Sequence, residues 1–414
     1  MADKAIVVGV GLKTDSFVDL KESLAELEDL VYAAGGGVVG TAVQVLEKFN
    51  PATLIGKGKT LELKELAEQT EANLIVIDHH LSGIQSRNLE QETGVRILDR
   101  NQLILDIFAQ RAQTYEGKLQ VELAQMLDQL PRMVGAWQGS LSRLGGGIGT
   151  RGPGETALEM DRRRIHNRVK QIRKKLESVK KNREQHRQQR QRNEIPQFAL
   201  IGYTNSGKST LLNRLTQSDV YVKDQVFATL DPTTRKIFLP DVDTALITDT
   251  VGFIRNLPPQ LIEAFKATLE ESGQADILVV VVDISSDQVN KHLEVIDHLI
   301  NEFKWNDKPV VYVYNKVDLA SIEKQVRADR KPRVFTSAIK NEGIERLRRM
   351  LAESIKNLQK EVELFFPKQD EHRIYELGRE SQIKRTEAAS HGTICYVNLT
   401  PAQMSKWSAF LTKD

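Results

Sequence analysis

The sequence predicts an α/β protein in which a long helical hairpin separates two α/β regions. Short apolar runs alternate with helical stretches before residue 100 and again after residue 195. Strands that alternate with helices in this way favour parallel sheets. Between the two regions lie two long helical patterns, joined by fourteen residues of which six are glycine. The chain of 414 residues is long enough for about two to four domains.

The first region, residues 1–100, is predicted to be a small parallel α/β domain. Its apolar runs are typical of buried strands, and its amphipathic stretches have the length of helices that cover a sheet. Strands are expected at residues 5–8, 38–46, 74–78 and 96–98, and helices at residues 17–32, 59–69 and 84–93.

Residues 101–194 are predicted to form the helical hairpin. Its first helix is expected at about residues 101–134 and its second at about residues 155–192. Apolar residues recur in steps of three and four along both helices, which is the narrow seam of a coiled coil. We expect the two seams to pair in antiparallel fashion. The glycine-rich loop, residues 143–156, would then lie at the tip of a rod about 50 Å long.

The second hairpin helix carries a dense run of positive charge. Between Asp161 and Arg192 there are fourteen lysines or arginines against three acidic residues, although the net charge of the chain is only +2. This excess predicts salt-dependent affinity for RNA phosphates, with a solvated helix face as the alternative. Arg143 and Arg151 are expected to flank ribosomal RNA contacts at the tip.

Cysteine content and hydropathy argue against two classes of protein. The single cysteine, Cys395, cannot form an internal disulfide, which argues against a secreted, disulfide-stapled fold. No apolar run approaches the ~18 residues of a membrane span. A cytosolic monomer without membrane insertion is therefore the simplest interpretation.

Residues 195–360 contain a phosphate-binding loop. The sequence Gly202-Tyr-Thr-Asn-Ser-Gly-Lys-Ser209 follows an apolar strand and opens a helix. In this context successive backbone N–H groups cradle phosphates. Lys208 is expected to reach the β- and γ-phosphates as a catalytic residue, and Ser209 to bind Mg²⁺. The predicted nucleotide contacts are Gly202, Tyr203, Thr204, Asn205, Ser206, Gly207, Lys208, Ser209 and Thr210.

A second motif predicts that the bound base is guanine. Asn315-Lys-Val-Asp318 follows a strand at residues 309–314. The Asp318 carboxylate can accept hydrogen bonds from both N1–H and the N2 amino group of guanine. Adenine has neither donor in that place and would leave the carboxylate unpaired. The predicted base contacts are Asn315, Lys316, Val317 and Asp318, with Ser337, Ala338 and Ile339 after a later strand.

Two segments between these motifs are predicted to respond to the γ-phosphate. In the later one, Asp249 is expected to hold Mg²⁺ through water, and the catalytic Gly252 to direct its N–H at the γ-phosphate. In the earlier one, a threonine hydroxyl should bind Mg²⁺, and Thr229 is preferred over Thr233 and Thr234. The other predicted nucleotide contacts in these segments are Phe227, Ala228, Leu230, Asp231, Thr250 and Val251.

Phe253 follows Gly252 at the position where Ras-like enzymes carry the glutamine that orients the attacking water. A phenyl ring cannot hydrogen-bond that water. Hydrolysis is therefore expected to be slow in the isolated protein and to need a partner. The alternative is that Phe253 only packs and that another group of this chain acts.

Two motifs in residues 1–100 are weaker. Gly56-Lys-Gly-Lys-Thr60 contains a Gly-Lys-Thr triplet but lacks the first glycine of a phosphate loop. A basic loop that touches RNA is favoured there over a second nucleotide site. Asp78-His-His80 is similar to part of a two-metal site, but no Asp-x-Asp partner occurs in this region.

Residues 361–414 are predicted to be a small α+β domain. Strands are expected at residues 373–376 and 393–398, with a helix near residues 381–387 and a terminal helix from Pro401. The predicted fold class is thus α/β: a P-loop GTPase domain at residues 195–360, preceded by an α/β domain and a helical hairpin and followed by this small domain.

The motifs together resemble the HflX family of ribosome-associated GTPases. The resemblance rests on residues 105–111, 116–124, 146–155, 227–235 and 249–253. It covers residues 1 to about 360 well and the tail weakly. It implies a cytosolic GTPase that binds the large ribosomal subunit, with the hairpin entering the subunit. The resemblance also implies that the GTP-bound form helps to split stalled ribosomes.

Two other functions are compatible with the same residues. One is an NTP-driven RNA-remodelling enzyme with a second ATP site in the N-terminal domain. The other is a GTPase switch that acts on a protein, with its basic helix on a membrane surface. ATP binding by residues 1–190 would indicate the first, and sedimentation with liposomes rather than ribosomes would indicate the second.

Overall fold

The computed structural model describes residues 3–141, 153–192, 195–216, 226–227, 233–240, 242–255, 258, 260–264 and 273–412. Contacts divide the chain into two compact units, of which the first comprises Met1–Lys180, Val222–Pro232 and Val251–Leu269. The second comprises Lys181–Tyr221, Thr233–Thr250 and Glu270–Asp414. Within the described ranges, no helix is both long and apolar enough to cross a membrane. The division into four domains stays a prediction.

The first unit begins with a four-stranded parallel sheet in the order β2-β1-β3-β4. Its strands are β1 (Lys4–Leu12), β2 (Gly37–Leu46), β3 (Leu74–Ile77) and β4 (Arg96–Asp99), and its helices are α1 (Phe17–Ala33), α2 (Lys57–Thr70) and α3 (Gly83–Thr93). Ile6, Ile75 and Leu63 lie fully buried between sheet and helices. The parallel α/β fold predicted for this region is confirmed.

The hairpin prediction is wrong in one respect, because the first long helix is two helices. The three helices here are α4 (Arg100–Arg111), α5 (Tyr115–Leu141) and α6 (Pro153–Arg192). Ala112 has an extended backbone, and the Thr114 hydroxyl accepts the Gly117 N–H at 2.9 Å, which caps a new helix. Phe108 of α4 is buried. Helix α4 therefore packs with the N-terminal sheet, and only α5 and α6 form the hairpin.

The second unit contains a six-stranded sheet in the order β10-β9-β8-β5-β7-β6, in which β6 pairs antiparallel with β7. The strands are β5 (Gln197–Gly202), β6 (Thr233–Leu239), β7 (Asp243–Asp249), β8 (Ile277–Asp283), β9 (Val310–Asn315) and β10 (Arg333–Phe335). The described helices are α7 (Lys208–Thr216), α8 (Val289–Glu302), α9 (Ile322–Arg327) and α10 (Ile344–Leu358). Parallel strands end at one edge of a sheet, so the loops after β5, β7, β8 and β9 meet there.

The C-terminal segment folds as a three-stranded antiparallel sheet in the order β11-β13-β12. Its elements are β11 (Lys360–Pro367), α11 (Arg373–Glu380), β12 (Ile383–Ala389), β13 (Gly392–Leu399) and α12 (Pro401–Lys406). Two predictions are wrong here, because residues 373–376 are helical and residues 381–387 lie mostly in a strand. Helix α11 buries Leu377 in the small core, whereas β12 is almost entirely exposed and shows no alternation of burial. Pairing with β13 decides its conformation.

Candidate nucleotide site

The phosphate loop joins β5 to α7, as the motif requires. Two of its glycines leave no room for a side chain. A Cβ on Gly202 would lie 2.3 Å from the Val281 carbonyl oxygen, and one on Gly207 would lie 2.3 Å from Asn315 Nδ2. Gly207 also has a φ of +89°, which strongly favours glycine. Close contacts with the Val281 backbone at Gly202 and with the Asn315 side chain at Gly207 thus restrict the shape of this loop.

Lys208 lies buried at the first turn of α7. Its Nζ donates to the carbonyl oxygens of Gly202 at 3.0 Å and Tyr203 at 2.8 Å. Burial lowers the pKa of Lys208 to about 8, and the nearby Asp249 carboxylate opposes that shift. A buried ammonium is costly without an anionic partner, so this position favours the binding of a negatively charged group.

An oxygen pair lies beside the phosphate loop at the end of β7. Ser209 Oγ donates to Asp249 Oδ2 at 2.6 Å, and Asp249 is buried. The Thr250 hydroxyl donates to the Leu200 carbonyl at 2.7 Å, which joins the end of β7 to β5. Hydroxyl and carboxylate oxygens are ligands that Mg²⁺ prefers. The described residues contain no group of three or more His, Cys, Asp or Glu side chains that could hold a metal ion by themselves.

Asn315 connects the predicted base-binding loops to the phosphate loop. Its Nδ2 donates to the Ser206 carbonyl at 3.0 Å, and its Oδ1 accepts from the Ala338 N–H at 3.1 Å and the Thr336 hydroxyl at 3.2 Å. Asn315 is only 2% exposed. The buried Asn315 amide therefore joins the phosphate loop, at Ser206, to the predicted base loop, at Ala338.

The rest of the Asn-Lys-Val-Asp motif lies at the carboxyl end of β9. Lys316 has a left-handed backbone with φ of 63°, and its Nζ lies 2.9 Å from Asp283 Oδ2 at the end of β8. Val317 and Asp318 begin a short 3-10 helix and are partly exposed. The ion pair to Asp283 restrains the Lys316 side chain at the carboxyl ends of β8 and β9.

The first predicted switch segment is described only in part. Phe227 is buried with φ of 56°, and its ring meets the Phe108 ring edge-to-face with centroids 4.6 Å apart. The predicted contacts that lie outside the described residues are Ala228, Thr229, Leu230 and Asp231. Phe227 therefore packs in the core of the first unit.

The second predicted switch segment also contacts the N-terminal region within the first unit. Phe253 is 4% exposed, so its ring packs, and this burial is compatible with both interpretations of the residue. The Arg255 carbonyl accepts from Arg100 Nη2 at 3.2 Å, and Arg255 Nη1 lies 3.9 Å from Glu22 Oε2. Arg255 lies three residues after Gly252. Phe227 of the first segment therefore contacts α4, and Arg255, just beyond the second segment, contacts both α1 and α4.

The two weaker motifs take part in structural contacts. The residues Gly56 to Thr60 cap and begin α2 rather than forming a loop, so the expected basic loop is wrong. The Thr60 hydroxyl donates to the Gly56 carbonyl at 3.2 Å, and Lys59 lies 2.7 Å from Glu62. Asp78 pairs with the buried Arg100 at 2.9 Å. Thr60 and Lys59 of the first motif and Asp78 of the second are thus engaged in contacts within the protein.

Sequence reasoning missed several residues that contact the predicted site loops or the segments beside them. These residues are Arg100, Phe108, Arg214, Arg255 and Asp283. Asp283 carries a usable signal, because it ends a strand at the edge of the sheet where the site residues gather. The others are ordinary helix or loop residues, and only the tertiary contacts show what they touch.

A glycine-rich phosphate loop between a parallel strand and a helix, a buried carboxylate on the adjacent strand and an Asn-Lys-x-Asp loop at the same sheet edge define a P-loop GTPase. Family models match the chain at residues 21–109 as a GTP-binding GTPase N-terminal domain, at 111–190 as a GTP-binding GTPase middle region and at 197–316 as a 50S ribosome-binding GTPase. The chain belongs to the HflX family of GTPases, and it hydrolyses GTP.

Individual relatives agree with this assignment. The GTPase HflX of Caldanaerobacter subterraneus is 48% identical over 84% of this chain and 80% of its own length. The GTPase HflX of Escherichia coli is 43% identical over 91% of this chain and 89% of its own. A crystal structure of the SsGBP–GDP complex is 27% identical, with a TM-score of 0.50 over 86% of this chain and 98% of that one. The predicted family and fold class are confirmed.

Proposed function

We propose that this protein is a Mg²⁺-dependent GTPase of the cytoplasm that binds the large (50S) ribosomal subunit and splits or rescues stalled ribosomes. The exposed positive face of α6 is the observation that carries the proposal. The match of residues 197–316 to a family described as a 50S ribosome-binding GTPase supports it. In this proposal the protein acts as a monomer and cycles between GTP and GDP.

The geometry supports specific roles in the nucleotide site. Lys208 contacts the β- and γ-phosphates, and Asp318 accepts from guanine. The Gly252 N–H meets the γ-phosphate. The proposed metal ligands are Ser209, Thr229 and Asp249. The 2.6 Å approach of Ser209 Oγ to Asp249 Oδ2 fits a hydroxyl and a carboxylate that share one Mg²⁺, directly or through water. When bound, Mg²⁺ would be held by these residues and would offset the negative charge that develops on the phosphates.

Helix α6 has two different faces within its described part. Val169 and Ile172 are buried, and Arg168 Nε donates to Glu122 of α5 at 2.6 Å, so this face pairs with α5. The exposed cations include Arg162, Arg163, Lys170, Lys174 and Lys175. Arg173, which is also exposed, pairs with Glu263 at 2.6 Å. The second face presents closely spaced charges to solvent, which is the arrangement that binds nucleic-acid phosphates.

Co-sedimentation with ribosomal particles tests the proposed partner. The full chain is mixed with 50S subunits, 70S ribosomes or anionic liposomes, in the presence of a non-hydrolysable GTP analogue, GDP, ATP or no nucleotide. The proposal requires binding to 50S and 70S particles that is strongest with the GTP analogue. Binding to liposomes instead would favour a membrane-directed switch, and binding that depends on ATP would favour the RNA-remodelling enzyme.

Reversing the charge of Arg162, Arg163 and Arg164 to glutamate is expected to weaken 50S binding and to flatten its salt dependence. Each lost phosphate contact reduces the slope of log K against log salt by roughly 0.7–0.9. Three lost contacts should therefore reduce it by about two units. Replacing residues 145–154 with a serine-rich linker should likewise lower affinity and remove subunit splitting. Both effects are measured by sedimentation at several salt concentrations.

The matched control reverses three exposed cations of α10: Arg346, Arg349 and Lys356. It changes the net charge of the chain by the same amount. Intrinsic GTP hydrolysis should survive in the hairpin variants, because the described phosphate and base loops lie in the second unit. Equal loss of binding in the α10 control would mean that net charge, and not the hairpin, determines affinity.

Ribosomes are expected to stimulate GTP hydrolysis by roughly 10²-fold, the size of effect that correct positioning of a reacting group provides. Phe253 cannot orient the attacking water. The Phe227 ring packs against Phe108, and the Arg255 carbonyl accepts from Arg100, so the N-terminal region contacts residues in or beside both switch segments. We expect ordering of these segments to be the step that positions the water. A partner that binds the N-terminal region and hairpin can supply that order.

The measurement is multiple-turnover phosphate release across a titration of 50S or 70S particles, at low and moderate salt. Binding is confirmed by sedimentation of the same samples. A turnover number that stays constant while the bound fraction rises would show that this chain already contains its complete catalytic set.

A further inference from the structure

Arg214, on the last turn of α7, holds the loop that follows β10. Its Nε donates to the Ala338 carbonyl at 2.8 Å, and its Nη2 donates to the Ile339 carbonyl at 3.2 Å. Helix α7 begins at Lys208 in the phosphate loop. One helix therefore contacts the proposed phosphate site at its first turn and the proposed base loop at its last turn.

These two bonds determine where the N–H groups of the loop point. In a planar trans peptide the carbonyl and the following N–H point in opposite directions. Because the carbonyls of Ala338 and Ile339 face α7, the N–H groups of the next residues, Ile339 and Lys340, point away from α7. The Lys340 N–H donates to Ser337 Oγ at 3.1 Å, and the Ala338 N–H donates to Asn315 Oδ1. The loop thus has a carbonyl edge at Arg214 and an N–H edge on its other side. Because the Ala338 and Lys340 N–H groups are bonded within the protein, the Ile339 N–H is the donor that this edge would offer to a purine.

Packing anchors only the first part of this loop. Ala338 is 3% exposed and lies in the core of the second unit, whereas the Ile339 side chain is 66% exposed and does not anchor its own peptide. Arginine is suited to holding that peptide because its planar guanidinium offers several donors in a fixed geometry, whereas lysine offers one point charge. Without the Arg214 bonds, the peptides on either side of Ile339 could rotate and turn a carbonyl oxygen towards the nucleotide.

The orientation of those peptides matters for base selection. Guanine and hypoxanthine carry an oxygen at C6, which accepts a hydrogen bond, and adenine carries an amino group there, which donates one. An N–H edge favours the oxygen and opposes the amino group, whereas a carbonyl edge does the reverse. We propose that Arg214 is a positioning residue for base selection that keeps the N–H edge of the loop towards the 6-oxo group of the purine.

This inference rests on the proposed assignment of Ser337, Ala338 and Ile339 to the base. It adds a specificity determinant outside the phosphate and base motifs. It acts at a different position of the base, because Asp318 is proposed to face N1 and N2, whereas Arg214 acts through the group at C6.

The test measures the affinities of GDP, IDP and ADP for the full chain by competition with a fluorescent guanine nucleotide. Arg214→Met should lower the affinities for GDP and IDP by a similar factor, roughly tenfold, which is the size expected for losing oriented hydrogen bonds. ADP affinity should stay the same or rise. Arg214→Lys, which can keep one bond, should lie between the wild type and Arg214→Met. Arg349→Met, at an exposed arginine of α10, is the matched control.

Equal losses for GDP and ADP would show a general structural role and would overturn the inference, as would unchanged affinities in Arg214→Met. Thermal melts of every variant verify that each protein is folded under the conditions of the affinity measurements. Asp318→Asn is measured in the same assay. A wild type that does not prefer GDP to ADP, or an Asp318→Asn variant with unchanged base preference, would overturn the base assignment itself and the Arg214 inference with it.

Discussion

Lys208→Ala is expected to reduce GTP turnover by about 10³-fold, the upper range for removing one group that stabilises transition-state charge. The ammonium is buried and held on two carbonyl oxygens of the phosphate loop, so no solvent cation can replace it in the same geometry. Ser209→Ala should have a comparable effect, because it removes a hydroxyl that lies 2.6 Å from the Asp249 carboxylate and is proposed to bind Mg²⁺. The measurement is single-turnover GTP hydrolysis across a Mg²⁺ titration.

Both variants should remain folded. The phosphate loop is held by close contacts of Gly202 with the Val281 backbone and of Gly207 with the Asn315 side chain, which neither substitution changes. We expect melting temperatures of the nucleotide-free proteins within about 4 °C of the wild type, the shift that ~1 kcal/mol gives in a domain of this size. Lys356→Ala, at an exposed lysine of α10, should leave turnover unchanged. A large loss of thermal stability would show that Lys208 has a mainly structural role.

Asp318→Asn is expected to shift the preference of the protein from GTP towards XTP by about 10⁴-fold, the scale on which a buried polar site rejects an unmatched partner. The carboxylate accepts from the N1–H and N2 amino donors of guanine. The amide instead accepts from N1–H and donates to the oxygen at C2 of xanthine. Asn315, which has its own buried hydrogen bonds, keeps the loop in place in both proteins.

Competition binding with GDP, XDP and ADP measures this change, and hydrolysis of GTP and XTP checks it. Asp329→Asn, at an exposed aspartate beyond α9, removes the same charge at a different place and should leave the preference intact. If ADP competes as well as GDP in the wild type, residues 315–318 do not read the base.

Several local predictions failed where the local pattern was compatible with more than one arrangement. The apolar spacing of residues 101–134 fits one long helix. The hydroxyl of Thr114 nevertheless starts a new helix, and α4 buries Phe108 against other parts of the first unit. Strand β12 has no alternating pattern to reveal it, because almost all of its side chains are exposed. Its conformation is set by antiparallel pairing with the next strand, β13, from Ile383↔Val397 to Ala389↔Gly392, and not by a burial pattern in its own residues.

The sequence by itself determined the class of protein. A phosphate loop requires glycines at particular positions, a base loop requires an amide and a carboxylate at fixed spacing, and a parallel sheet requires buried apolar runs, so each is visible in a short segment. The tertiary structure alone decided which residues outside the motifs act on them. Arg214, Asp283 and Arg100 contact residues 33 to 155 positions away. Such contacts depend on which strands and helices become neighbours. The local sequence around a polar side chain does not indicate which carbonyl or carboxylate that side chain will contact.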